Sequence, residues 1–204
     1  MNIGAVVFDF GGVMTTSTMP RRVMELAAEK GVDWGVIVRG FDAHRAGYDA
    51  GRITLGEMYA KIWGDAGLSV SDEVNAAFMK ADDASWCCRN ERTLDWMRAL
   101  KGRGFKIGIL TNMAPKFARE HFETAFADFI SLADAMVISG DEGIVKPQRE
   151  IYDLLRSRVG LPAGELCFID DVEKNVAGAV AAGWHAIHFV TNAQVEADFE
   201  KAVG

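Results

Sequence analysis

Ten residues near the start of the chain, Ala5-Val6-Val7-Phe8-Asp9-Phe10-Gly11-Gly12-Val13-Met14, constrain its folding more than any other stretch. Ala5 to Phe8 has the length and β-branched content of a buried strand. It ends on a carboxylate with apolar residues on either side. An ionised Asp9 is costly in such a place unless a cation or hydrogen-bond donors meet it. Gly11 and Gly12 let the chain turn sharply, or let a ligand come close to the backbone. These ten residues alone suit a turn-capping Asp and a reactive Asp equally well.

The texture then changes. From Met19 to Lys80 the pattern is helical, broken by glycine-bearing turns. Helices are predicted from Pro20 to Gly31 and from Trp34 to His44. A third is capped by Thr54, with Glu57 three residues on as in a capping box, and a fourth starts at Ser71. No strand pattern interrupts this block. After it, helix and strand alternate: helix Glu91–Lys101, strand Lys106–Leu110, helix Pro115–Phe122 and strand Met136–Ile138. Helix Gln148–Val159, strand Leu166–Ile169, helix Lys174–Ala182, strand Ala186–Val190 and helix Gln194–Ala202 follow. Such alternation implies an α/β fold, a parallel sheet covered by helices on both faces. The helical block reads as an insertion after the first strand. The expected division is a core of residues 1–14 plus 87–204 and a helical cap of residues 15–86.

Composition removes some function classes. A net charge of −7 argues against general binding to nucleic acid or anionic membrane. No apolar run reaches the ~18 residues of a membrane span, and the start lacks the basic residues of a secretory signal. Cys87, Cys88 and Cys167 are odd in number and lack metal-ligand spacing, which suits a reducing cytoplasm.

Polar residues recur where strands end: Asp9, Thr111-Asn112 and Asp170-Asp171, with Lys146 before a helix. In open parallel sheets, ligands bind beyond those ends. The chain here resembles the haloacid dehalogenase-like hydrolase superfamily. The resemblance rests on Phe8-Asp9-Phe10-Gly11-Gly12-Val13, Leu110-Thr111-Asn112, Val145-Lys146-Pro147 and Phe168-Ile169-Asp170-Asp171, with Asn175 and the Gly178–Trp184 tail. It implies a Rossmann-like sheet of strand order 5-4-1-2-3, flanked by helices, with a small helical-bundle cap. It also implies that Asp9 is a nucleophile forming an aspartyl-phosphate. Asp9, the Gly11 carbonyl, Asp170 and Asp171 would hold Mg²⁺, a hard cation suited to oxygen donors. Thr111, Asn112 and Lys146 would stabilise the transferring group, and Asn175 would orient the lysine or the acidic pair.

One position departs from the family. Its phosphatases usually carry a second Asp two residues after the nucleophile, as general acid on the leaving group; here that residue is Gly11. General acid–base help is worth about 10²–10⁴-fold. Family dehalogenases carry a Tyr there, which this chain also lacks. The cap would supply specificity, with Arg21, Arg22, His44, Arg45, Tyr48 and Arg52 as candidates; Trp86-Cys87-Cys88 lies at its return hinge. The expected activity is Mg²⁺-dependent hydrolysis of a small, sugar-phosphate-like monoester by a monomer or homodimer. The rivals are a metal-independent 2-haloacid dehalogenase and a catalytically weak binding or regulatory protein.

Overall fold

The computed structural model describes residues 2–16 and 20–204. Part of the predicted cap, residues 17–19, lies outside them. Five parallel strands form one sheet: β1 (Ala5–Phe8), β2 (Lys106–Thr111), β3 (Ala135–Ile138), β4 (Leu166–Asp170) and β5 (His185–His188). Their order, β3-β2-β1-β4-β5, is the one the resemblance implies. β1 is central and pairs with β2 and β4, with Phe8 opposite Ile109 on one side and Ile169 on the other.

Alternation along each strand sorts side chains onto two faces. Val6, Phe8, Ile107, Ile109, Cys167 and Ile169 pack on one face, and Ala5, Val7, Leu110, Leu166 and Phe168 on the other. With helices on both faces, the strands are apolar almost throughout, and every residue of β1 is fully buried.

Between β1 and β2 lie α1 (Arg21–Lys30), α2 (Trp34–Asp49), α3 (Leu55–Asp65), α4 (Asp72–Ser85) and α5 (Glu91–Gly102). The first four pack around Val23, Ile37, Met58, Tyr59, Trp63 and Phe78, and Ala114 joins them from beyond β2. The Thr54–Glu57 capping box starts α3 as predicted. Helix α2 runs five residues beyond the predicted His44, to Asp49. The chain leaving β1 and the chain returning to α5 are bound side by side. Thr16 N–H donates to Cys88 O at 2.8 Å and Asn90 N–H to Met14 O at 2.8 Å, around an antiparallel Thr15–Arg89 bridge.

The predicted helix Pro115–Phe122 forms and runs three residues further, as α6 (Pro115–Phe117), a wider helical turn at Ala118–Phe122 and α7 (Glu123–Ala125); α8 (Ala127–Leu132) follows after Phe126, where the backbone leaves the helical region. Phe117, Phe122 and Phe126 surround the ring of Phe10 there, with centroids 6.0, 5.1 and 4.8 Å away. Then come α9 (Ser139–Glu142), α10 (Arg149–Val159), α11 (Glu173–Ala181) and α12 (Asn192–Val203). Among the described residues no helix is long and apolar enough to cross a membrane.

Candidate active site

Asp9 follows the last residue of β1, and Asp170 is the last residue of the neighbouring β4. The parallel ladder therefore brings two carboxylates side by side, and Asp9 N–H continues it by donating to Ile169 O at 2.9 Å. Lys146 reaches between them from the loop before α10. Its ammonium lies 2.8 Å from Asp9 Oδ1, 2.7 Å from Asp170 Oδ2 and 3.1 Å from Leu110 O. All three ammonium hydrogens thus have an acceptor, as a 2 % exposed lysine requires. Burial alone would pull its pKa down, but Asp170 and Asp9 outweigh that and hold it above that of a free lysine.

The loop bearing Lys146 is clamped to the end of β2. Asn112 Oδ1 accepts from Lys146 N–H at 2.8 Å, and Asn112 Nδ2 donates to Lys146 O at 3.1 Å. Thr111 is buried where β2 ends and does not line the cavity described below. Asn175 Nδ2 donates to both oxygens of Asp170 at 3.1 Å, and Val172 N–H to Asp170 Oδ1 at 2.8 Å.

Asp9 is only 7 % exposed, and burial drives its pKa well above the usual carboxylate range; Lys146 opposes this, while Asp170 and Asp171 add to it. Its Oδ1 accepts from Phe10 N–H at 2.6 Å and pairs with Lys146. Its Oδ2 accepts no hydrogen bond from the described residues, leaving one oxygen for a reacting atom.

Asp171 completes an acidic trio. One oxygen each from Asp9, Asp170 and Asp171 lie within 4.8 Å of one another, and burial pushes Asp171 up to about 6. Gly12 makes this approach possible. It sits at φ +69°, and a Cβ there would lie 2.2 Å from Asp171 Oδ2. Gly11 has an ordinary φ of −61°, so its lack of a side chain is not a backbone requirement. One lysine does not balance three carboxylates. Three hard oxygens converging around an excess negative charge fit a divalent ion such as Mg²⁺.

Asp9, Gly11, Lys146 and Asp171 line a cavity of about 430 Å³; Asp170, fully buried, does not line it. Its walls include Pro20, Phe41, Tyr48, Trp86, Met113 and Phe117, together with Asp42, Asp49, Asp82 and Asp83. Of the specificity residues expected from sequence, Arg45 and Tyr48 line it. Arg21 and His44 do not: Arg21 is an exposed residue at the start of α1, and the His44 ring is 2.7 Å from Asp65. Arg22 does not line it either, and Arg52 lines a second cavity on the far side of Tyr48 and Phe117. Arg45 is already paired, with Asp49 at 3.2 Å and Asp82 at 3.2 Å, and lies over Phe41, Tyr48 and Trp86. Asp82 also accepts from Tyr59 Oη at 3.1 Å and Trp86 Nε1 at 3.0 Å.

Sequence reasoning missed Asp49, Asp82, Asp83 and the aromatic walls. The available signal was the 41–45–48–49 spacing, one helix face, but it shows only if α2 is carried past His44.

A family model described as haloacid dehalogenase-like hydrolase matches residues 3–183. The sesquiterpene phosphatase astK of Aspergillus oryzae is 29% identical over 205 residues, spanning 98% of this chain and 96% of that protein. The fold is similar to that of the HAD family enzyme bt-2542 of Bacteroides thetaiotaomicron (TM-score 0.69, 21% identical, covering 92% and 94% of the two chains). That enzyme has also been solved with magnesium and inorganic phosphate. It is similar as well to that of L-2-haloacid dehalogenase from Xanthobacter autotrophicus (TM-score 0.66, 20% identical, covering 91% and 77%).

Proposed function

This chain belongs to the haloacid dehalogenase-like hydrolase family, and on that premise we propose that it hydrolyses a phosphate monoester through a covalent phosphate on Asp9. The observation that carries this reading is the arrangement of Asp9 itself. One oxygen is held by Phe10 N–H and Lys146, and the other accepts no hydrogen bond from the described residues. Asp9 Oδ2 would attack phosphorus as the ester P–O bond breaks, and water would then hydrolyse the acyl phosphate. Lys146, locked by Asn112, would favour the ionised form of Asp9 against its burial and offset charge on the phosphoryl oxygens. Asp9, Asp170, Asp171 and the Gly11 carbonyl would hold Mg²⁺, which supplies Lewis-acid stabilisation of the phosphoryl group.

The proposed substrate has an uncharged, largely apolar organic part. Aromatic walls suit it, and the wall carboxyl groups outnumber the wall cations Arg45 and Lys174, which disfavours a second anionic group. Arg45 offers an anion little, since two carboxylates already hold it. This puts esters of apolar alcohols ahead of the sugar phosphates expected from sequence, and the name of the Aspergillus oryzae relative supports that order. We read residues 15–86 as the cap that closes over the ester, since its helices supply most of these walls.

The test is phosphate release from alkyl, prenyl, sugar and nucleotide phosphates, with Mg²⁺ and with EDTA. The expected result is Mg²⁺-dependent turnover, with apolar esters preferred. Chelation should leave less than about a tenth of the activity, restored by Mg²⁺. Full activity in EDTA, or release of halide from 2-chloropropionate, would reject the proposal.

A further inference from the structure

The phosphatase reading leaves a proton unaccounted for. An alkoxide is a poor leaving group and needs a proton as the P–O bond breaks, yet position 11 carries no side chain. The Trp86 ring stands beside that position, 3.4 Å from where a Cβ would lie. We propose that Asp49, the last residue of α2, is the general acid and base of this active site, delivered from the helical segment rather than from the turn after β1.

Four observations support this. Asp49 lines the same cavity as Asp9 and Lys146. Its backbone is bound to the core beside the reacting groups: Ser139 Oγ donates to Asp49 O at 2.6 Å and accepts from Met113 N–H at 2.9 Å, two residues beyond Thr111. Its Oδ1 accepts from Arg45 Nε at 3.2 Å, while its Oδ2 accepts nothing from the described residues. Burial pushes its pKa up to about 6, against the opposing charge of Arg45. The other charges acting on Asp49 are Asp82 across the helical segment, which raises it further, and Lys146 of the core, which lowers it.

The other acids of the cavity are less suited. Asp82 already accepts from Arg45, Tyr59 and Trp86. Asp83 lies 3.8 Å from the His121 ring, and Asp42 is exposed. Asp171 belongs to the acidic trio.

The step balances. As Asp9 Oδ2 bonds to phosphorus, the ester P–O bond breaks and its electron pair goes to the leaving oxygen. That oxygen takes the Asp49 proton and departs as a neutral alcohol. In the second half, water attacks phosphorus and gives a proton to the Asp49 carboxylate, as the bond from phosphorus to Asp9 breaks. The acid is thereby restored.

The proposal rests on the phosphatase reading, and two esters separate their failures. Asp49→Asn and the parent are compared, with Mg²⁺, on n-octyl phosphate, whose alkoxide needs a proton, and on p-nitrophenyl phosphate, whose phenolate does not. The expected result is a fall in the single-turnover rate of alcohol release, the step that phosphorylates Asp9, of about 10²–10⁴-fold on octyl phosphate and less than about fivefold on p-nitrophenyl phosphate. A retained single-turnover release of nitrophenolate also reports an intact fold. Equal losses of this rate on both esters, or no loss on octyl phosphate, would overturn the assignment. Should the variant not fold, the parent pH profile decides. Asp49 donates only when protonated, so octyl phosphate turnover should fall as pH rises above about 6, and nitrophenyl turnover should lack that fall. Identical profiles would reject Asp49. A parent inactive on both esters would instead reject the phosphatase reading.

Discussion

Two regions of this molecule solve the same charge problem with different chemistry. In the core, one lysine sits between two carboxylates, Lys146 with Asp9 and Asp170. In the helical segment, one arginine sits between two carboxylates, Arg45 with Asp49 and Asp82. The core cluster is assembled by adjacent parallel strands, whose ladder dictates where the carboxylates end. Its cation is a point charge with three donors, all used. The second cluster is assembled by an i,i+4 pair on α2 and by packing of α4. Its cation is a flat guanidinium lying 5.7, 5.2 and 5.5 Å from the ring centroids of Phe41, Tyr48 and Trp86. A third carboxylate, Asp171, joins only the core cluster and tips it toward a divalent ion. On the proposed reading the strand ends hold the reacting atoms, while the helices shape walls of aromatic rings and four carboxyl groups, of which Asp49 exchanges a proton.

The most severe way to break the comparison is Asp9→Asn. An amide cannot attack phosphorus, so turnover should fall by several orders of magnitude while the far-ultraviolet circular dichroism stays unchanged. Retention of more than about a tenth of the activity would remove Asp9 as nucleophile.

Removing each cation separates the clusters energetically. Lys146→Met strands two buried carboxylates and should cost about 3–5 kcal/mol of stability in chelator. Added Mg²⁺ should recover part of that loss, since it neutralises the same oxygens. Arg45→Met should cost less, about 1–3 kcal/mol, because its side chain is 27% exposed and water screens what remains. Mg²⁺ should not restore that loss. Urea denaturation midpoints with and without Mg²⁺ measure both; equal Mg²⁺ rescue of the two variants would mean that the clusters are not distinct.

Gly11→Asp should have the smallest effect. The backbone at φ −61° accepts a side chain, and the Trp86 ring need yield only slightly. With Asp49 already serving as acid, octyl phosphate turnover should change by less than about tenfold. A gain approaching the ~10²–10⁴-fold worth of a positioned acid would show that the site had lacked one.

The sequence by itself determined the fold and the strand-end residues. Apolar runs of strand length, each closed by a polar residue, define where a parallel sheet presents its ligands, and the order of those runs carried the family resemblance. The Thr54–Glu57 box was equally legible, because a cap is a contact between residues three apart. Only the tertiary structure decided the walls of the cavity. Gly47 interrupts the sequence pattern inside α2 although Gly51, at φ +69°, marks its end, and the last turn was lost with Asp49. Asp82 carries no sequence signal of burial; the packing of α2, α3 and α4 buries it and brings Arg45, Tyr59 and Trp86 to it as donors. Arg21 and His44 had the right chemistry but do not line the cavity. Strand ends are aligned by backbone hydrogen bonds that any sequence can make, so their position is local information. A helix face meets its neighbours at an angle set by side-chain packing, and that exists only once the helices have met.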